Sequence, residues 1–152
     1  ELKDSLKIKW PNDIYLDGKK ICGVLSHHLG AFSYHLIGVG INSNISQMPD
    51  EVSDIATSLA SLTNREFDNS VIIDSIFEIF FSELPLFIES GLAQAVDYLS
   101  KFNFLEDKEI ILDTDFQKFS GIVKGFNKQG AILLELRSGN IQPFYAGSVI
   151  LQ

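Results

Sequence analysis

Apolar and charged residues alternate at Leu6-Lys7-Ile8-Lys9, the period of a half-buried strand. Pro11-Asn12-Asp13 then turns the chain. Ile14-Tyr15-Leu16 and the run from Lys20 to Leu25 read as two strands around an Asp17-Gly18 hairpin signal. Gly30-Ala31 breaks the pattern, and Tyr34 to Ile41 forms another strand. These pieces predict an antiparallel meander of short strands.

After Ser43 the period lengthens. Ser53 or Asp54 is placed to cap a helix with Ile55, Leu59 and Leu62 on one face. Asn69 is placed to cap a longer helix whose apolar stripe is Val71, Ile72, Ile76, Ile79, Phe80 and Leu84. Pro85 is expected to kink or end its regular part. Gly91 stops it, and a third helix follows from about Leu92 to Lys101. The most apolar stretch, Val71 to Ile88, is interrupted by Asp74, Glu78, Glu83 and Pro85, so it reads as a buried helix and not a membrane span.

Period 2 returns at Ile110 to Leu112, Gly121 to Phe126, Ala131 to Leu136, Gln142 to Tyr145 and Ser148 to Leu151. Turn clusters at Asn127 to Gly130 and Ser138 to Asn140 separate some of these runs. Five short strands so close together suggest a small barrel with its own core. The fold class is therefore α+β: an antiparallel or mixed sheet packed with helices, then a small barrel. The boundary is expected near Asn103 to Glu106, which gives domains 1–103 and 104–152.

Composition supports this picture and narrows the function. A chain of 152 residues that is 45% apolar buries one good core, or one core and a small module. A net charge of −8 argues against a nucleic-acid binder, since no basic field steers the chain to a phosphate backbone. Yet residues 1–40 hold five lysines against four acids, so the cations gather near the first turn. A single cysteine, Cys22, excludes an internal disulfide and a Cys-rich zinc site. With a Lys/Asp-rich start and no apolar leader, a reducing cytoplasmic setting is the simplest expectation.

Candidate chemistry gathers at Lys9-Trp10-Pro11-Asn12-Asp13, followed by Lys20 and Gly23. A carboxylate such as Asp13 suits Mg²⁺, which takes one or two carboxylates and otherwise water and substrate phosphates. Lys9 and Lys20 are placed to neutralise charge on a phosphoryl group during transfer. The plain alternative is a simple turn with solvated lysines, and Trp10 reads as core or pocket wall. In Gly38-Val39-Gly40-Ile41-Asn42 the strand glycines permit close approach of a ligand. Asn42 there has the donor and acceptor needed for a purine edge, though a turn asparagine is the ordinary reading.

The histidines carry less. His27 and His28 point to opposite faces of one strand, and His35 lies across from one of them, so only a two-His metal site is conceivable. Cys22 reads as a small buried hydrophobe. No Ser/His/Asp or Cys/His triad is indicated by spacing.

Taken together, Lys-Trp-Pro-Asn-Asp-Ile-Tyr, Gly-Lys-Lys-Ile-Cys-Gly-Val-Leu and Ile-Gly-Val-Gly-Ile-Asn-Ser-Asn resemble the biotin–protein ligases (biotin–acetyl-CoA-carboxylase ligases). The resemblance runs from about Leu6 to the end, and the closing strands, with Gly121-Ile-Val-Lys-Gly-Phe and Gly147-Ser-Val-Ile-Leu, are similar to that family's SH3-like C-terminal domain. It implies a class II synthetase-like catalytic fold, here its later part over 1–103, then the SH3-like barrel over 104–152. It also implies ATP-dependent activation of biotin to biotinyl-AMP, then transfer to a lysine of a biotin carboxyl carrier protein, an acetyl-CoA carboxylase subunit.

By position, the resemblance gives Lys20 the biotin carboxylate and α-phosphate, and Lys9 the phosphates. Asp13 serves Mg²⁺ with Asn12 beside it, Asn42 approaches the adenine, Gly23 lets the biotin chain pass, and Trp10 borders the pocket. The family's Ser-Thr-Asn-type element and Arg/Gly-rich loop lie upstream of the matched stretch, and His27 stands where the family usually has Glu. Two other readings remain: a related binding or regulatory module without turnover, and a lipoate-type acyl-adenylate ligase. A homodimer through an exposed strand edge is a further expectation.

Overall fold

The computed structural model describes residues 5–30 and 34–151. The chain forms two compact units, one of Glu1–Ile8 and Asn12–Glu78, the other of Lys9–Pro11 and Ile79–Gln152. Gly30 is described while Ala31, its partner in the expected break, lies outside the described residues.

The first sheet has the order β1-β2-β3-β4, from β1 (Leu6–Lys9), β2 (Asp13–Leu16), β3 (Lys19–Leu29) and β4 (Tyr34–Ile41). The β2/β3 and β3/β4 pairs are antiparallel, as the meander reading expects. Asp17 and Gly18 both take positive φ, 50° and 78°, which lets two residues reverse the chain between β2 and β3. Leu16, Ile21 and Cys22 form the unit's buried cluster, with Leu6, Ile14, Val24, Ile41, Leu59 and Leu62 packed against it.

The expected helix from Ser53 starts later. Residues 49–56 make turns instead, with Ser53 Oγ donating to the Asp50 carbonyl and Ala56 N–H to the Val52 carbonyl. Ser58 is the true cap of α1 (Leu59–Thr63): its Oγ accepts from Ser61 N–H at 2.9 Å. The competing interaction is tertiary. Ile55 C=O and Thr57 N–H bond to the backbone of Lys20, which holds this segment extended.

The long helix α2 spans Asn69–Ser90, and its leading cap is Asp68, not Asn69. Asp68 Oδ1 accepts from both the N–H and the Oγ of Ser70, and these bonds hold its carboxyl below the usual range. Pro85 lies inside the helix without ending it. One backbone bond is lost there, and the helix formers around it (Glu83, Leu84, Leu86) sustain the run. Burial differs more sharply from expectation: no residue of α2 is buried, and Val71 and Ile79 of the expected stripe remain 59% and 63% exposed. An apolar stripe predicts burial only where a counter-surface exists. Among the described residues, no helix is long and apolar enough to cross a membrane.

In the second unit, α3 (Ala93–Leu99) passes into a 3₁₀ turn at Ser100–Phe102, a little shorter than the run expected to Lys101. A five-stranded antiparallel sheet follows, of β5 (Glu109–Asp113), β6 (Lys118–Phe126), β7 (Ile132–Leu136), β8 (Ile141–Phe144) and β9 (Ser148–Leu151), in the order β8-β7-β6-β5-β9. Inward residues alternate along it. Ile110, Leu112, Val123, Ile132 and Leu134 are fully buried, with Trp10, Leu105 and Phe144 in the same cluster. Gly121 is required by packing, because a Cβ there would lie 2.9 Å from Leu134 Cγ and closer still to the Glu135 carbonyl.

Candidate functional site

Cross-strand register brings the candidate residues of the first unit together. Asp13 opposes Gly23, and Gly23 opposes Gly40 on its other side. Leu25 opposes Gly38 two residues on, so Gly23, Leu25, Gly38 and Gly40 share one face. Strict alternation would point Lys20 to the opposite face from Gly23. It does not, because the β2/β3 register slips: Ile14 pairs with Cys22 but Tyr15 with Lys20, leaving Ile21 as an extra residue in β3. The bulge brings the Lys20 ammonium over Gly23. A Cβ on Gly23 would lie 3.2 Å from Lys20 Nζ and 3.4 Å from Asp13 Oδ1.

Lys20 Nζ and Asp13 Oδ1 are 2.6 Å apart, an ion pair at the mouth of a groove of about 510 Å³. Asn12, Lys20, Gly23, Leu25, Gly38, Val39 and Gly40 line that groove. The three glycines leave its floor without side chains, so a flexible ligand can lie against the backbone while the cation meets an anionic end. Leu25 is a lining residue that the sequence shows only as a strand position.

The backbone of Lys20 is fixed from the far side of β3. Its N–H donates to Ile55 C=O and its C=O accepts from Thr57 N–H, both at 2.9 Å. Thr57 C=O in turn accepts from Asn42 Nδ2 at 3.0 Å, and Asn42 N–H donates to Ile21 C=O. One residue, Thr57, thus ties the predicted anion-binding lysine to the predicted purine-reading asparagine. Thr57 and Ser58 are buried polar residues that no local motif marks, since their roles arise from pairing with distant strands.

Two titratable groups near the ion pair are shifted. Burial first, then the Asp13 carboxylate, push the Cys22 thiol and the Tyr15 hydroxyl above their ordinary values, against the opposing pull of Lys20. Cys22 is a free, buried thiol. Lys9 and Trp10 belong to the other unit. Trp10 is 7% exposed within that unit's core, and its indole N–H donates to Gly130 C=O at 3.2 Å. His27 opposes Leu36, whereas His28 and His35 are direct partners. Among the described residues, no group of three or more His, Cys, Asp or Glu converges as a metal cluster.

Known proteins share sequence and fold with this chain. The Biotin/lipoate A/B protein ligase family matches residues 1–44, and the Biotin protein ligase C terminal domain matches residues 107–152. The Bifunctional ligase/repressor BirA of Escherichia coli is 28% identical over 98% of this chain and 47% of its own length. Its namesake in Bacillus subtilis is 30% identical over 95% of this chain and 46% of its own. The chain thus spans about half the length of these relatives. Among solved structures, the apo biotin protein ligase from Aquifex aeolicus superposes with a TM-score of 0.89 at 25% identity, covering 97% of this chain and 66% of that one. The same ligase in complex with biotin and ATP gives 0.86 at 26%, covering 97% and 62%. Two matched regions, relatives along nearly the whole chain and a shared fold lead to one conclusion: the chain is similar to the biotin protein ligases over nearly all of its length.

Proposed function

We propose that this chain carries the later part of a biotin–protein ligase active site, and that its groove holds biotinyl-AMP. The observation that carries the reading is the Lys20–Asp13 ion pair at the end of a glycine-floored groove. In the first step a biotin carboxylate oxygen attacks the α-phosphorus of ATP. A new P–O bond forms, the bond to the bridging oxygen breaks, and pyrophosphate leaves. Lys20 neutralises the two anions as they approach and stabilises the charge on the phosphoryl oxygens. In the second step a neutral lysine amine of the carrier protein attacks the acyl carbon, forming an amide. AMP leaves with the anhydride oxygen's electron pair, and the amine's proton passes to solvent.

Within this reading Gly23 leaves room for the biotin chain, Lys9 faces the phosphates and Trp10 supports their turn. The Thr57 bond engages one N–H of Asn42 Nδ2, which leaves Oδ1 as an acceptor suited to the adenine amino group. The donor set fits Mg²⁺: one carboxylate, Asp13 with Asn12 beside it, matches an ion that otherwise takes phosphate oxygens and water. Such an ion would withdraw charge from the phosphates. We read 1–103 as the later catalytic part and 104–152 as an SH3-like barrel domain. The carrier is a biotin carboxyl carrier protein, the setting cytoplasmic, and a homodimer the assembly.

Titration calorimetry with biotinyl-AMP tests the reading. It is run on the chain itself and on a chimaera in which these residues replace the matched part of the Aquifex ligase. Lys20→Ala should weaken binding about ten- to a hundredfold, the loss of one hydrogen-bonded charge. Equal affinity in Lys20→Ala, or no binding even by the chimaera, overturns it. The second reading is a binding module without turnover. It predicts that the chimaera binds biotinyl-AMP yet releases no pyrophosphate from ATP and biotin.

A further inference from the structure

We propose that His28 and His35 form a surface chelating site for a divalent late first-row cation, with Zn²⁺ as its representative. His28 on β3 and His35 on β4 are direct cross-strand partners. Their ring centroids are 4.7 Å apart and their planes are tilted by 38°. Directly opposed residues place their Cβ atoms roughly 4.5–5.5 Å apart, so both imidazoles leave the same face side by side. Two nitrogens, each ~2.0–2.1 Å from a tetrahedral ion, lie roughly 3.3 Å from one another. Side-chain rotation alone brings neighbouring rings to that spacing, with no movement of the strands.

The ligand chemistry selects the cation class. Imidazole suits Zn²⁺, Ni²⁺ and Cu²⁺, whereas Mg²⁺ and Ca²⁺ require oxygen donors. Both histidines are exposed, so the remaining coordination positions open to water. His27, the next residue along β3, stands opposite Leu36 on the other face and takes no part. The site is also separate from the groove. His28 lies five residues from Gly23, about 17 Å along the strand, and on the opposite face. A cation bound there joins β3 to β4 beside the Gly30 turn, and by binding the folded form it stabilises the hairpin.

Calorimetric titration of the chain with ZnCl₂ tests this, together with His28→Ala, His35→Ala and His27→Ala. The expected result is one saturable site, weakened at least tenfold by either His28→Ala or His35→Ala and unchanged by His27→Ala. Imidazole proton resonances should agree, with those of His28 and His35 shifting on zinc addition and those of His27 staying in place. Far-UV circular dichroism verifies that each variant is folded. Absence of saturable binding, an equal loss in His27→Ala, or full affinity in either His28→Ala or His35→Ala overturns the proposal.

Discussion

A methyl group at position 23 would meet the Lys20 ammonium at 3.2 Å and Lys20 Cε at 3.3 Å. The long lysine chain can yield, so Gly23→Ala should fold with near-normal stability while misplacing the cation. We expect biotinyl-AMP affinity to fall about tenfold, the scale of one disturbed charged hydrogen bond, with the thermal midpoint nearly unchanged. Calorimetry and thermal unfolding on the same sample check both halves. The buried thiol next door gives a pH signature. The folded pKa values of Cys22 and Tyr15 are raised, so the folded state retains protons that the unfolded chain releases. Stability is then complete below the unfolded values, 9.0 and 10.0, and is lost as pH rises through the folded ones. Cys22→Ala should flatten the first part of that decline in urea midpoints measured from pH 8 to pH 11. At this scale the sequence marks Asp13, Lys20, Gly23 and Asn42 as candidates, because they carry recognisable chemistry. It does not show that Lys20 and Gly23 share a face, since an extra residue at Ile21 reverses the parity that alternation assigns.

Among the elements, the strands and the two later helices were legible, and the start of α1 was not. Asp17-Gly18 and the alternation around it determine β2 and β3 locally, so turn chemistry suffices. The start of α1 depends instead on Ile55 and Thr57 pairing with Lys20, a contact thirty-odd positions away in sequence that no window contains. Ser58 is therefore the residue to test. It caps α1 and donates its hydroxyl to Ile45 C=O, while itself fully buried. Ser58→Ala should cost about 1–2 kcal/mol in urea unfolding, from the lost cap and the unpaired Ile45 carbonyl. If Thr57 also aligns Asn42 with Lys20, the same variant lowers ligand affinity. A Ser58→Thr chain, which retains the hydroxyl, should recover most of both.

For the whole molecule, the apolar residues of α2 and of the β3/β4 strands are the largest departure from what composition suggests. Leu25, Leu36, Phe81 and Ile88 are each more than 60% exposed. Hydrophobic patterning gave the helix and the strands but not their burial, because burial depends on surfaces that pattern does not specify. In the second unit the period-2 residues fill a buried apolar core. Gly121→Ala should lower its stability by about 2–4 kcal/mol, since a side chain there displaces Leu134 and the Glu135 backbone. Guanidinium unfolding measures that loss.

The probe for it is built in. The protein has a single tryptophan, and Trp10 comes from the opposite end of the sequence to lie among Leu105, Val123 and Leu134. Its emission is therefore an optical gauge of one unit only. A red shift records the opening of the five-stranded sheet's core, while melting of β2, β3 and β4 passes unseen at that wavelength.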